Sequence, residues 1–217
     1  MKIDRDSYGS LALIYGISIT VAVLLQLFVS NPLIVWPSMA LLLWFCIWQT
    51  AFFRVPRRKR NGNGNLVTSV ADGRVVIVEK TVEQEVLKRE CLQISVYMNF
   101  FDVHSNFWPA DGTVLKYEYH PGDHFYASHP KASVLNEHTC VLMKNPEGKE
   151  ILFKQIAGGF ARRIACHADP GQNVCAGSQC GIIKFGSRID MFLPLDAKVN
   201  VRIGELVRAS ETILAEI

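Results

Sequence analysis

Three places in this 217-residue chain hold side chains able to move protons or attack carbonyl carbon. Asp72-Gly73 follows Ser69, Val70 and Ala71 and opens a β-branched run. His104 lies in Phe100-Phe101-Asp102-Val103-His104-Ser105-Asn106, a polar stretch on an aromatic segment that reads as the wall of a pocket. Gly186-Ser187-Arg188 sits between two apolar runs. A carboxylate, an imidazole and a hydroxyl are the parts of an activated nucleophile, because a serine hydroxyl is weak until a base takes its proton. Each place also has a plain reading: an Asp-Gly turn, a satisfied histidine, and a tight turn in which glycine supplies a positive φ.

The elements that must position these residues fall into two parts. Tyr8–Val29 and Leu33–Phe53 contain no Asp, Glu, Lys or Arg, and each is long enough at about 1.5 Å per residue to cross a hydrocarbon core of about 30 Å. Ser30, Asn31 and Pro32 break them apart. A cleaved signal peptide fits poorly, since the apolar core is long and a second one follows at once. Buried helices of a soluble domain, or a hairpin dipping into one leaflet, are the other readings. Lys2 and Arg5 precede the first stretch, and Arg54, Arg57, Arg58, Lys59 and Arg60 follow the second. Both ends are therefore expected on the cytoplasmic side of the cell (inner) membrane. The same cluster also suits attraction to anionic lipid.

Those seven cations against Asp4 and Asp6 leave residues 1–60 at +5, and with a whole-chain charge of +3 the remainder is −2. A domain of that sign lacks the basic face that nucleic acid requires. Asn61-Gly62-Asn63-Gly64-Asn65 is a turn-prone linker, which places a boundary between a membrane-anchoring segment, 1–60, and a second domain, 61–217. Beyond it, alternation predicts strands at Leu92–Met98 and Leu115–Tyr119, with further short runs at Val75–Val78, Cys140–Met143, Ile151–Ile156, Ile182–Phe185, Ile189–Leu193 and Lys198–Ile203. The expected fold is mainly β, an antiparallel sandwich or barrel-like domain behind a two-helix hairpin. Thr81–Glu90 reads equally as a helix or a charged loop. No glycine-rich phosphate loop precedes a helix. The six cysteines form no CxxC pair, Cys166, Cys175 and Cys180 lack zinc-site spacing, and no metal site is expected.

Taken in order, the motifs resemble the phosphatidylserine decarboxylases, in their short, hairpin-anchored form. Phe52-Phe53-Arg54 with Pro56 comes first, then Asp72-Gly73, Phe101–Asn106 before Pro109, Gly112, Pro121-Gly122-Asp123 and Asn136-Glu137. QIAGGFARRI, Gln155 to Ile164, follows, and Phe185-Gly186-Ser187-Arg188-Ile189-Asp190 closes the series. The resemblance covers nearly the whole chain and implies self-cleavage between Gly186 and Ser187, with Ser187 becoming a covalent pyruvoyl cofactor. It implies His104 as the base and Asp72 as its orienting carboxylate, and a large piece, 1–186, held to a small one, 187–217, by strand pairing. The pyruvoyl group would then serve as electron sink while an anionic phospholipid, phosphatidylserine, loses carbon dioxide.

Longer bacterial relatives carry a second histidine where this chain has Phe101, so proton supply would pass to His104 or elsewhere. Arg162 and Arg163 suit a headgroup anion, or simply a solvated strand face. The other histidines, His120, His124, His129, His138 and His167, read as structural or exposed. The alternatives are the same chemistry on an archaeal-type serine ether lipid, or a non-catalytic membrane-tethered β-domain that binds lipid.

Overall fold

The computed structural model describes residues 2–61, 64–123, 135–158, 163–184 and 187–217. The chain divides into two units, Met1–Pro56 and Arg57–Ile217, so the division falls ahead of the Asn-Gly run and the cations Arg57–Arg60 belong with the second unit.

The first unit is a helical hairpin. β1 (Lys2–Ile3) leads into α1 (Tyr8–Phe28), and α2 (Pro32–Phe52) returns to β2 (Arg54–Val55). Asn31 caps α2, its Oδ1 accepting from the Leu33 amide at 3.0 Å, and Pro32 occupies the first turn, where no amide hydrogen is needed. The Tyr15 and Thr50 hydroxyls hydrogen-bond between the helices at 2.5 Å. β1 pairs antiparallel with β2, Lys2 opposite Val55 and Ile3 opposite Arg54, so the hairpin ends where it began. Both helices are long and apolar enough to cross a membrane.

The second unit is antiparallel β. Its strands are β3 (Leu66–Thr68), β4 (Gly73–Glu83), β5 (Arg89–Met98), β6 (Ser105–Phe107), β7 (Gly112–His120), β8 (His138–Lys144), β9 (Glu150–Ala157), β10 (Ile164–Cys166), β11 (Asn173–Val174), β12 (Gln179–Ile183), β13 (Ser187–Leu193), β14 (Lys198–Val199), β15 (Leu206–Val207) and β16 (Ile213–Glu216). Eight of them form a curled half-barrel sheet in the order β11-β7-β8-β9-β13-β5-β4-β15. Two three-stranded sheets, β10-β12-β6 and β14-β16-β3, share its core. Alternation decides which side chains enter that core: Leu92, Ile94, Val96 and Met98 of β5 do, as do Ile189, Met191 and Leu193 of β13. Trp108 meets Phe153 edge-on at 5.8 Å near its centre.

Several elements differ from the sequence expectation. Thr81–Glu90 is neither helix nor loop throughout, because β4 runs on to Glu83 and a turn at 84–88 leads into β5. The Glu83 carboxylate makes that turn, accepting from the amides of Glu85, Val86 and Leu87 at 3.0, 2.8 and 2.6 Å. The run Lys198–Ile203 is strand only over β14, since Arg202–Glu205 closes a turn through the Arg202 amide and the Glu205 carboxylate, 3.0 Å apart. All six cysteines are free thiols.

Candidate active site

β13 lies between β9 and β5, and its first residue, Ser187, stands opposite Ala157 on one side and Met98 on the other. Ser187 is fully buried, and its hydroxyl donates to the Met98 sulfur at 3.2 Å. The next residue points to the other face of the sheet. There Arg188 makes a forked contact with Asp190, Nε to Oδ1 at 2.7 Å and Nη2 to Oδ2 at 2.8 Å, with both side chains buried. The motif's arginine and aspartate thus neutralise each other two residues apart on one strand face.

β5 ends at Met98, and the following loop carries the chain to His104. Two local bonds shape that loop: the Asn99 amide donates to Asp102 Oδ2 at 2.8 Å, and the Phe101 amide donates to Asn99 Oδ1 at 2.8 Å. Phe101, at the loop tip, is 72% exposed, while His104 is fully buried. His104 Nδ1 lies 3.0 Å from the Asp102 carbonyl oxygen. A carbonyl only accepts, so Nδ1 carries the proton and Nε2 is the basic nitrogen. The His104 carbonyl in turn accepts from the Ile183 amide at 3.3 Å, four residues before Ser187. Strand pairing thus brings the His104 segment and Ser187 to the same end of the sheet.

Asp72 stands just before β4, whose Arg74 is opposite Tyr97, so it belongs to that same end. Gly73 is required there: a Cβ would come within 2.2 Å of the Tyr97 carbonyl oxygen. The Asp72 carboxylate takes a hydrogen bond from Arg58 and another from the Ala209 amide at 2.8 Å. The expected relay would place a carboxylate on His104 Nδ1; the structure places the Asp102 carbonyl there. Arg58 and Arg60 are likewise engaged within the domain, on Asp72 and Asp111, so two of the five clustered cations serve as internal partners.

Gly186 and Arg162 lie outside the described residues. Arg163 is exposed, and its carbonyl accepts from the Lys184 amide at 3.2 Å.

The hydrogen bonds among the other motif residues emerge only from the structure. Asn136 Nδ2 donates to the carbonyl of Ala157, the residue opposite Ser187, at 2.7 Å. Gln155 links two motifs, with Nε2 on Asn106 Oδ1 at 2.8 Å and Oε1 accepting from Thr139 at 2.9 Å. All four of these side chains are buried. Asn136, Gln155 and Asn106, from three separate motifs, therefore join one hydrogen-bonded layer around β9. The motif series names Asn106, Asn136 and Gln155 but not their bonds to one another, and Thr139 lies outside it.

The family model for phosphatidylserine decarboxylase matches residues 45–215. A phosphatidylserine decarboxylase proenzyme of Amoebophilus asiaticus is 41% identical over 96% of this chain and 88% of its own length. One from Cytophaga hutchinsonii is 37% identical over 100% and 99%, and one from Cupriavidus taiwanensis is 47% identical over 82% and 83%. With the motif series in order along one β domain and relatives matching it nearly end to end, the chain belongs to the phosphatidylserine decarboxylase family.

Proposed function

We propose that the protein decarboxylates phosphatidylserine to phosphatidylethanolamine at a pyruvoyl group made from its own Ser187. The names of its relatives support the substrate and the proenzyme state. The observation that carries the reading is Ser187, buried at the head of β13, with the His104 segment bonded to the strand four residues upstream.

Processing begins with the Ser187 hydroxyl. Its acceptor, the Met98 sulfur, is weak and leaves the oxygen lone pairs uncommitted. His104, its Nδ1 proton held on a carbonyl, takes the hydroxyl proton at Nε2. Oγ attacks the Gly186 carbonyl carbon, the C–N bond to residue 187 breaks, and an ester and a free amine result. Loss of the α-proton of residue 187 expels the Gly186 carboxylate and leaves dehydroalanine. Water then replaces its nitrogen, which departs as ammonia. Asp72, held by Arg58 and the Ala209 amide, is assigned the role of orienting carboxylate in the proton transfer.

The pyruvoyl carbonyl supplies the electron sink for loss of the lipid's carboxylate. Arg162 and Arg163 are assigned to the anionic headgroup, and His104 to returning a proton. The hairpin holds the domain on the cytoplasmic face of the cell membrane; its flanking cations and the pairing of its two ends support that placement. The direct test is conversion of phosphatidylserine in detergent micelles, followed by mass spectrometry. Wild type should release phosphatidylethanolamine and Ser187→Ala none. Absence of product from processed wild type overturns the substrate assignment.

A further inference from the structure

The turn at 84–88 folds the tip of the β4–β5 hairpin against the sheet face opposite the core, where Val86 and Leu87 pack on Cys91, Cys140, Leu152 and Phe192. Glu85 in that turn reaches β8 and β9. Its Oε2 accepts from Lys154, and it lies 3.1 Å from His138 Nε2 and 3.5 Å from the Cys140 sulfur. His138 and Cys140 are two residues apart on β8 and so share a face. His120 of β7 is directly opposite His138, and the two rings stack at 4.6 Å.

The decisive detail is the tautomer of His138. Its Nδ1 is 2.7 Å from the Asn136 carbonyl oxygen, which can only accept, so Nδ1 carries a hydrogen. In a neutral ring Nε2 is then a lone pair, yet it faces the lone pairs of a carboxylate. Two acceptors at that distance need a cation, either a proton on the ring or a metal ion. An imidazole with one nitrogen donating to a backbone carbonyl and the other aimed at an anionic site is the arrangement of a metal ligand. His120 Nε2 is buried and has no hydrogen-bond partner among the described residues, with Glu118 Oε2 at 3.7 Å.

Charge and distance agree. Among the described residues Glu83 and Glu85 pair with one lysine, Lys154, and Glu118 is paired with Lys116. A divalent ion with Cys140 as thiolate brings the cluster to neutrality. The four candidate donor atoms already lie within 4.8 Å of one another. Zinc bonds of about 2.0–2.3 Å place tetrahedral donors about 3.3–3.8 Å apart, so closing the site takes side-chain movements of about 1 Å. His120, half-exposed, turns out of its stack, and Lys154 keeps Glu83 at 2.7 Å when Glu85 turns to the ion.

We infer that Glu85, His120, His138 and Cys140 form a structural site for a divalent transition-metal ion, with zinc the best match to its donors, clamping the β4–β5 hairpin onto β7 and β8. Four protein donors leave no open position, and the cluster lies on the sheet face away from the Ser187 side chain. The site is therefore independent of the proposed chemistry.

The test uses detergent-purified full-length protein, stripped with chelator and titrated with zinc and, in parallel, with cobalt(II). Wild type should bind one equivalent, with a cobalt–thiolate absorption band in the near ultraviolet. Cys140→Ser should lose the band and His138→Gln should bind at least tenfold more weakly, while Cys175→Ser behaves as wild type. His120→Gln, at a half-exposed position, serves if the buried substitutions do not fold, and should lose at least tenfold in affinity with an unchanged metal-free melting temperature. Absence of stoichiometric binding to folded wild type, or a cobalt band that survives Cys140→Ser, overturns the site.

Discussion

Ser187 stands directly opposite Met98 in the antiparallel pairing of β13 with β5, and its hydroxyl rests 3.2 Å from the Met98 sulfur. This placement puts the proposed scission point at the start of a strand held on both sides. Residues 187–217 contribute β13 between β5 and β9, β15 beside β4, and β16 beside β3. The cut protein should therefore migrate as one particle in native detergent and separate into two pieces only on denaturation. Release of the small piece under native conditions would contradict this.

His104 is the only base assigned to the processing step. His104→Gln should slow appearance of the cut form by at least about 100-fold, the ordinary contribution of a positioned base. The measurement is the ratio of cut to uncut chain with time. Because His104 is fully buried, the melting temperature of each variant has to be compared alongside.

The Arg58–Asp72 pair separates two roles for Asp72. Both partners are largely buried, so Arg58→Gln and Asp72→Asn should each destabilise the fold by about 1–3 kcal/mol through loss of a charge-assisted hydrogen bond. Only Asp72→Asn should also slow processing strongly. Equal processing rates in the two variants would reduce Asp72 to a purely structural anchor.

Burial alone would raise the Glu83 carboxyl, but the hydrogen bond from Lys154 and the amides of Glu85 and Leu87 outweigh it and bring Glu83 down from 4.5 to about 2. A carboxyl depressed on folding contributes stability that is fully present above about pH 4.5 and is lost as pH falls towards about 2. Glu83→Gln should flatten the acid limb of a melting-temperature profile over that window. Lys154→Met, which strands the Glu83 and Glu85 carboxylates, should cost about 3–5 kcal/mol at neutral pH.

The hairpin and the strands β5, β7, β8, β9 and β13 were legible in the sequence because apolar length and period-two alternation reflect burial directly. The extension of β4 to Glu83 was not, because charged residues fill its distal part and the carboxylate that shapes the turn belongs to the strand itself. The motif order singles out Ser187 and His104, but the bond that ties the His104 segment to Ile183 comes from the pairing of β6 with β12, a contact between distant segments. The engagement of Asp72 with Arg58 was equally hidden, since a cation beside an apolar helix reads as a topology signal. The Glu85, His120, His138 and Cys140 cluster draws on a turn and two strands, so its ligands have no spacing that a linear pattern could reveal.

Self-cleavage at Ser187 changes the covalent chain, so intact mass reads it without an assay of activity. Wild type and Ser187→Ala are purified side by side, with and without borohydride. Wild type should be split after Gly186, with a small piece whose first residue bears a ketone that borohydride reduces, and the variant should be uncut. A folded wild-type chain that runs whole, with the same mass behaviour as Ser187→Ala, would contradict it and leave a membrane-tethered β-domain without pyruvoyl chemistry.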